Sequence, residues 1–522
     1  MTSSRPPFRR TARLLAVILA CAGIAAGCSG HPSSSSANSP EPKVSAVEGK
    51  MPTPPEGLAA FYNQKLTWER CSDGKAECAQ ARVPIDYTKP DGAQATIALA
   101  KMPAAKTPKG TILVNPGGPG GSGIDMALQA KLYLPSAVWH NYDVIGFDPR
   151  GVGESTPAID CVSDTELGHV LDKSYPDSEA GVAEFNADAT KLDQACAAHS
   201  GAILPYVGTA NAARDLDVLR QLAGQPKLVY LGFSYGTFLG QEYAQLFPHN
   251  VGRMVLDGVE DPTAGSAQMG YAQSLGFERA LRNYMDTCVK QSSCPFNGST
   301  DAGLGKVRTL FDDALAHPIP TSDKSRPLTQ SAFFSGIAAA LYSQQTWPIL
   351  TEAFTQVVNK NDGSMFQYLA DTMNSREGNK FTNNSNEAFW AINCADFPAS
   401  TPEEMAPLAA ELTKKGTVFG DFMMRGNDIC TDWAYKPHSN PSPQTAQDIA
   451  PIVLVGTTND PATPYAWAQS VHSRLKNSVL LTWEGNGHTA YSTANACLQD
   501  PVTAYLLNGT VPKDGLKCKA TS

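Results

Sequence analysis

Five residues constrain this chain more than any others: Gly232-Phe233-Ser234-Tyr235-Gly236. They follow an apolar run at 228–231 and open a helical stretch, 235–247, that Pro248 stops. A strand must therefore turn sharply into a helix at Ser234. Gly232 and Gly236 remove side chains where the two elements crowd. Such a turn holds the serine exposed at the end of a strand, with a positive φ expected. Further strand-like runs, rich in Val, Ile or Leu and bounded by Gly, Pro or Asp, occur at 82–87, 96–102, 111–115, 142–147, 253–256, 449–455 and 479–483. Residues 212–222 read as a helix, with Leu216, Leu219 and Leu222 at spacing three. Strand–helix–strand order predicts an α/β domain with a mostly parallel sheet.

A serine hydroxyl is a weak nucleophile until a base takes its proton. His488 lies in Gly485-Asn486-Gly487-His488, just after the run at 479–483. Asp460 follows the apolar residues 452–455 and would orient the imidazole. Ser234, Asp460 and His488 thus stand in the chain order nucleophile, acid, base. Asp257, after 253–256, is a reserve acid. The loop Asn115-Pro116-Gly117-Gly118-Pro119-Gly120-Gly121-Ser122-Gly123 lets backbone N–H groups approach a substrate closely. Gly118, with Gly117 as alternative, and Tyr235 are the candidate oxyanion donors. The loop lacks the Gly-Lys-Ser/Thr ending of a phosphate-binding loop.

These motifs, with Asp148-Pro149-Arg150-Gly151-Val152-Gly153-Glu154-Ser155, Val255-Leu256-Asp257-Gly258-Val259, Asp460-Pro461-Ala462-Thr463-Pro464 and Gly487-His488, occur in one order along nearly the whole chain. Together they resemble the prolyl-iminopeptidase-related serine peptidases. The subgroup is the exported actinobacterial tripeptidyl aminopeptidases, which includes a mycobacterial cell-envelope serine protease. The resemblance implies an α/β-hydrolase core, an inserted, mainly helical cap, and release of short peptides, tripeptides in that subgroup, from free N-termini through an acyl-enzyme. Asn115-Pro116 stands where prolyl iminopeptidases have a His, which favours the tripeptidyl branch. Thr463 matches a position that supports the acid there. An esterase or lipase acting on envelope lipids with the same triad is the competing reading.

An aminopeptidase must hold its substrate's ammonium group. Glu260, Asp261, Glu387 and Asp396 are the candidate partners, and Trp390 and Trp433 are candidate subsite walls. The expected organisation is a signal peptide at 1–27, a tether at 28–57, core at 58–262, cap at 263–444 and core again at 445–522.

The first residues carry Arg5, Arg9, Arg10 and Arg13, then an uncharged run too short to span a bilayer well. Ala25-Ala26-Gly27-Cys28 resembles a lipobox, which implies a lipid on Cys28 and anchoring to the outer face of the cell membrane. Residues 29–55, rich in Ser and Pro, read as a flexible tether. Ten cysteines remain beyond residue 28, an even set that suits disulfides in an exported protein. Sequential pairing costs least in loop closure. The cysteines form no CxxC pair and the nine histidines are scattered, so no metal or other cofactor is expected. The net charge of −9 disfavours a nucleic-acid partner. A peptide or protein substrate and the membrane, through the lipid, are the expected partners.

Overall fold

The computed structural model describes residues 48–436, 446 and 449–520. The expected signal peptide, Cys28, most of the tether and the expected boundary at 444/445 lie outside the described residues. No described helix is long and apolar enough to cross a membrane.

The strands are β1 (Glu69–Cys71), β2 (Ala76–Pro84), β3 (Gln94–Met102), β4 (Gly110–Asn115), β5 (Tyr142–Phe147), β6 (Leu228–Phe233), β7 (Val251–Asp257), a short hairpin of β8 (Arg376–Glu377) and β9 (Lys380–Phe381), β10 (Ile452–Asn459), β11 (Ser478–Asn486) and β12 (Lys517–Lys519). All but the hairpin form one sheet in the order β1-β2-β3-β5-β4-β6-β7-β10-β11-β12. Pairing is antiparallel from β1 to β5 and parallel from β5 to β12. This is the α/β-hydrolase fold. The chain winds outward from β4 to β5, then returns past β4 to β6. The carboxyl ends of β4 and β6 therefore flank a topological switch point, where open α/β sheets place their sites.

The central strands are covered on both sides, so they read as continuous apolar runs. Leu113, Tyr230, Leu256 and Leu454 meet Leu216 and Leu219 of helix Thr209–Leu222 and Phe238 and Leu239 of helix Tyr235–Leu246. Their alternate neighbours Val114, Leu231, Val255 and Val455 face Leu498, Val502 and Leu506 of helix Ala496–Asn508.

Between β7 and β10 the chain is mainly helical. Helices Gly265–Cys288, Thr300–Ala316, Gln330–Leu341, Trp347–Lys360 and Ser364–Met373 bury a core of their own. Its centre is aromatic: the rings of Phe333 and Phe366 lie 4.7 Å apart, and Phe354 packs edge-on to Phe366. Helices Ser385–Asp396 and Pro402–Lys414 follow, the first packing back against the sheet domain.

Several elements depart from the sequence reading. The strand read at 82–87 is β2, which ends at Pro84. Strands β1 and β12 have three residues each, too few to show a period. The 22-residue helix Glu179–Ser200 buries only Gly181, Leu192, Asp193, Cys196 and Ser200, so it carries almost no apolar stripe. Among the described residues, five disulfides pair sequentially: Cys71–Cys78, Cys161–Cys196, Cys288–Cys294, Cys394–Cys430 and Cys497–Cys518.

Candidate active site

Ser234 stands between β6 and its helix with φ 55° and ψ −127°. A non-glycine residue holds that conformation only when its surroundings enforce it. Here the Ser234 N–H donates to the Asp257 carbonyl at 3.0 Å, and the Thr237 N–H donates to the Ser234 carbonyl at 2.7 Å. Gly232 is required: a Cβ there would sit 2.3 Å from the Gly236 carbonyl oxygen.

The loop after β4 lies directly on this elbow. Gly117, at φ 93°, packs so closely that a Cβ would sit 2.5 Å from the Phe233 carbonyl oxygen and 3.0 Å from the Tyr235 nitrogen. The Gly117 N–H is engaged by Asn115 Oδ1 at 2.9 Å. Of the two candidate donors in this loop, the Gly117 N–H is thus already bonded, and Gly118 remains the candidate, with the first N–H of the helix at Tyr235 as the second. Asn115 is fully buried and shapes the loop, a role the sequence reading did not assign.

Asp460 and His488 come together at the ends of β10 and β11. His488 Nδ1 lies 2.9 Å from both carboxylate oxygens of Asp460. Asp460 Oδ1 also accepts the N–H groups of Ala462 and Thr463, each at 2.9 Å. Its Oδ2 accepts the Thr463 hydroxyl at 3.1 Å and the Thr489 N–H at 3.3 Å. Burial pulls the His488 pKa down, but the charge and hydrogen bond of Asp460, with Asp257 behind, outweigh it, and the net direction is upward. His488 Nε2 is buried with no hydrogen-bond partner. The ring edge rests over Gly258, where a Cβ would lie 3.1 Å from His488 Cε1, next to the residue that binds the Ser234 N–H. Asp257 does not touch the imidazole. Its carboxylate accepts the N–H groups of Ala490 and Tyr491, and burial raises it to about 6.

The four candidate ammonium partners separate by what already holds them. Glu387 Oε1 accepts the N–H groups of Cys161 and Val162, a structural task. Asp261 is paired with Arg474 at 2.6 Å. Asp396 accepts both the N–H and hydroxyl of Thr209, whose oxygen also contacts the Tyr235 hydroxyl. Burial raises Asp396 to about 7. Only the Glu260 carboxyl has no hydrogen-bond partner among the described residues. Its backbone N–H donates to Thr237 Oγ1 at 2.8 Å, one turn from Ser234. Burial, then the charges of Asp396 and Asp261, push Glu260 up to about 8.

A mainly apolar cavity of about 310 Å³ is walled by Leu171, Phe185, Phe334, Trp390, Phe422 and Met423 among others. No triad candidate lines it. Trp390 and Trp433 both pack against the core, and Trp390 also lines this cavity. Among the described residues no cluster of His, Cys, Asp or Glu is arranged to hold a metal ion.

A family model described as TAP-like protein matches residues 416–518. Serine protease Hip1 of Mycobacterium tuberculosis (strain ATCC 25618 / H37Rv) is 36% identical over 479 residues, covering 87% of this chain and 91% of the relative. Tripeptidyl aminopeptidase of Streptomyces lividans is 32% identical over 473 residues, covering 87% and 86%. Carboxylesterase B of Mycobacterium tuberculosis (strain ATCC 25618 / H37Rv) is 35% identical over 452 residues, covering 85% and 86%. With its hydrolase sheet, its Ser234 elbow and relatives aligned over nearly its full length, the chain belongs to the tripeptidyl-aminopeptidase-like family of actinobacterial serine peptidases.

Proposed function

We propose that this serine peptidase is an exported aminopeptidase that removes short peptides, tripeptides by preference, from free N-termini. One observation carries the exo-mode: the Glu260 carboxyl has no hydrogen-bond partner among the described residues, and the Glu260 backbone is bonded to Thr237, one helical turn from Ser234. Three extended residues place an N-terminus about 10 Å from the scissile carbonyl. Thr237 stands one turn, about 5 Å, along the helix from Ser234, and the Glu260 N–H is bonded to it. An ammonium bound there restores the charge that burial opposes.

In this reading, Ser234 Oγ attacks the carbonyl of the third residue while His488 Nε2 takes its proton. Asp460 holds Nδ1–H and stabilises the imidazolium. The N–H groups of Gly118 and Tyr235 receive the developing oxyanion. His488 then protonates the leaving amine, and water, activated by the same imidazole, releases the tripeptide. Cys28 is proposed to carry the lipid that anchors the enzyme to the outer face of the cell membrane.

The relative named a carboxylesterase favours a second reading, ester hydrolysis by the same triad. Comparing free and N-acetylated tripeptide p-nitroanilides with p-nitrophenyl esters separates them. Preference for the free tripeptide is expected. Equal turnover of free and acetylated peptides overturns the exo-mode, and cleavage of esters alone overturns the peptidase reading for this substrate class.

A further inference from the structure

The loops that carry Asp460 and His488 are held by the helical insertion as well as by the sheet. Helix Gln330–Leu341 ends at Tyr342, whose carbonyl accepts the His488 N–H at 2.8 Å. The last carbonyls of a helix have no partner within it. Thr346 Oγ1 serves that of Ala340, and His488 serves that of Tyr342. The Tyr342 ring stands edge-on to the imidazole, with centroids 5.2 Å apart and planes at 83°. Gly487, at φ 105°, permits this approach: a Cβ there would lie 3.0 Å from the Tyr342 carbonyl oxygen. Asn283 Nδ2 donates to Asn486 Oδ1 at 2.9 Å, and Gln273 Nε2 donates to the Ala462 carbonyl at 3.0 Å. Gly276 lies against Pro461, where a Cβ would sit 2.3 Å from the carbonyl oxygen.

We propose that Tyr342, at the C-terminus of helix Gln330–Leu341, is a positioning residue for His488, so that the triad is competent only while this part of the cap is docked. The proposal rests on the reading of His488 as the base. Asp460 grips one ring nitrogen but leaves the imidazole free to tilt about that bond. The Tyr342 carbonyl fixes the backbone from which the ring hangs, and the Tyr342 ring fixes its plane. The negative end of the helix dipole faces His488, which favours the imidazolium formed as Ser234 gives up its proton. The titratable groups facing His488 are Asp460 and Asp257 from the sheet side and Tyr342 from the cap. A cap that swung away as a rigid lid would carry off Tyr342, Asn283 and Gln273 together and release both catalytic loops. Substrate therefore enters with this edge of the cap in place.

The test uses the full-length protein. Fluorophosphonate labelling of Ser234, kcat and KM on a p-nitrophenyl ester, and thermal melting are measured across pH for each variant. Tyr342→Ala and Tyr342→Leu are expected to lose roughly 10- to 100-fold in kcat and labelling rate with little change in KM. The acid limb should move to higher pH, because burial is what holds the imidazole pKa down. Tyr342→Phe, which keeps ring and carbonyl, should restore what Tyr342→Ala loses. Gly487→Ala should reproduce the loss by wedging the carbonyl away. If Tyr342→Ala does not fold, Tyr342→Leu carries the same comparison. Wild-type kcat and pH profile in the Tyr342 variants, with His488→Ala inactive, overturn the proposal and leave the triad reading intact. A change confined to KM or melting temperature overturns it too. Wild-type labelling of His488→Ala overturns the triad reading itself.

Discussion

Replacing Asp460 by asparagine tests the proposed acid with the least change in shape. The carboxylate is fully buried and accepts from five groups: the N–H of Ala462, Thr463 and Thr489, the Thr463 hydroxyl and His488 Nδ1. An amide carries one NH2 that must face one side of this set. At the Oδ1 position it meets two backbone N–H groups that cannot turn away. At the Oδ2 position it meets the Thr463 hydroxyl, which can rotate, and the longer Thr489 contact. The NH2 therefore settles there, within reach of His488 Nδ1, and favours the tautomer in which Nδ1 accepts. The ring proton moves to Nε2, the atom needed to receive the Ser234 proton. Loss of the working tautomer costs about 10⁴ in kcat in triads of this type, or about 5 kcal/mol of transition-state stabilisation. Asp257→Asn offers the contrast. It disturbs only the Ala490 and Tyr491 N–H groups, so it should cost about 1–3 kcal/mol of stability and leave the tautomer alone. Steady-state kinetics and melting on both variants decide the matter. An Asp460→Asn enzyme with near-normal kcat, beside an inactive but folded Asp257→Asn enzyme, would refute this assignment.

Three further outcomes are expected. Thr463→Val removes one donor to Asp460 Oδ2 and should lower kcat by about tenfold, whereas Thr463→Ser should stay close to wild type; equal effects of the two would mean that the hydroxyl does not matter. Glu260→Gln should raise KM for free-amine peptides by roughly 10- to 100-fold while sparing N-acetylated peptides and esters; a uniform loss on all three would place Glu260 in the fold rather than in recognition. Melting temperature should fall as pH rises from about 5 to 8 at fixed ionic strength. Asp148 and Asp257 at about 6, Asp193 and Asp396 at about 7 and Glu260 at about 8 all sit above their unfolded values, chiefly through burial. The folded state therefore binds more protons across that window, and stability is lost as each group ionises. A melting temperature that climbs from pH 5 to 8 contradicts this accounting.

What was legible in the sequence was set by local backbone demands. Gly232, Ser234 and Gly236 announce a turn that only a strand and helix in contact require, and Pro248 marks where the helix ends. Asp460 and His488 follow apolar runs directly, so their place at the strand ends could be read. Choosing among Glu260, Asp261, Glu387 and Asp396 was not possible, because it depends on Arg474, Cys161, Val162 and Thr209, all distant in the chain. Tyr342 left no trace at all. Its contribution to His488 begins with a backbone carbonyl, which every residue has, and only tertiary placement makes that one matter.

Helix Ser385–Asp396 works as a caliper. A twelve-residue helix is a rod of about 18 Å. Near its first turn it rests on Gly120, where a Cβ would strike the Ser385 carbonyl and Ala388. Its last residue, Asp396, holds Thr209 and through it the Tyr235 side chain. The two proposed oxyanion donors, Gly118 and Tyr235, come from loops more than 100 residues apart, yet one rod spans the gap between their supports. The Cys394–Cys430 disulfide clamps that rod at its far end. The supports of both proposed donors thus rest on one helix outside the elbow. Attempts to retune the enzyme for a bulkier acyl group should begin with substitutions along this helix, leaving the glycines of the elbow as they are.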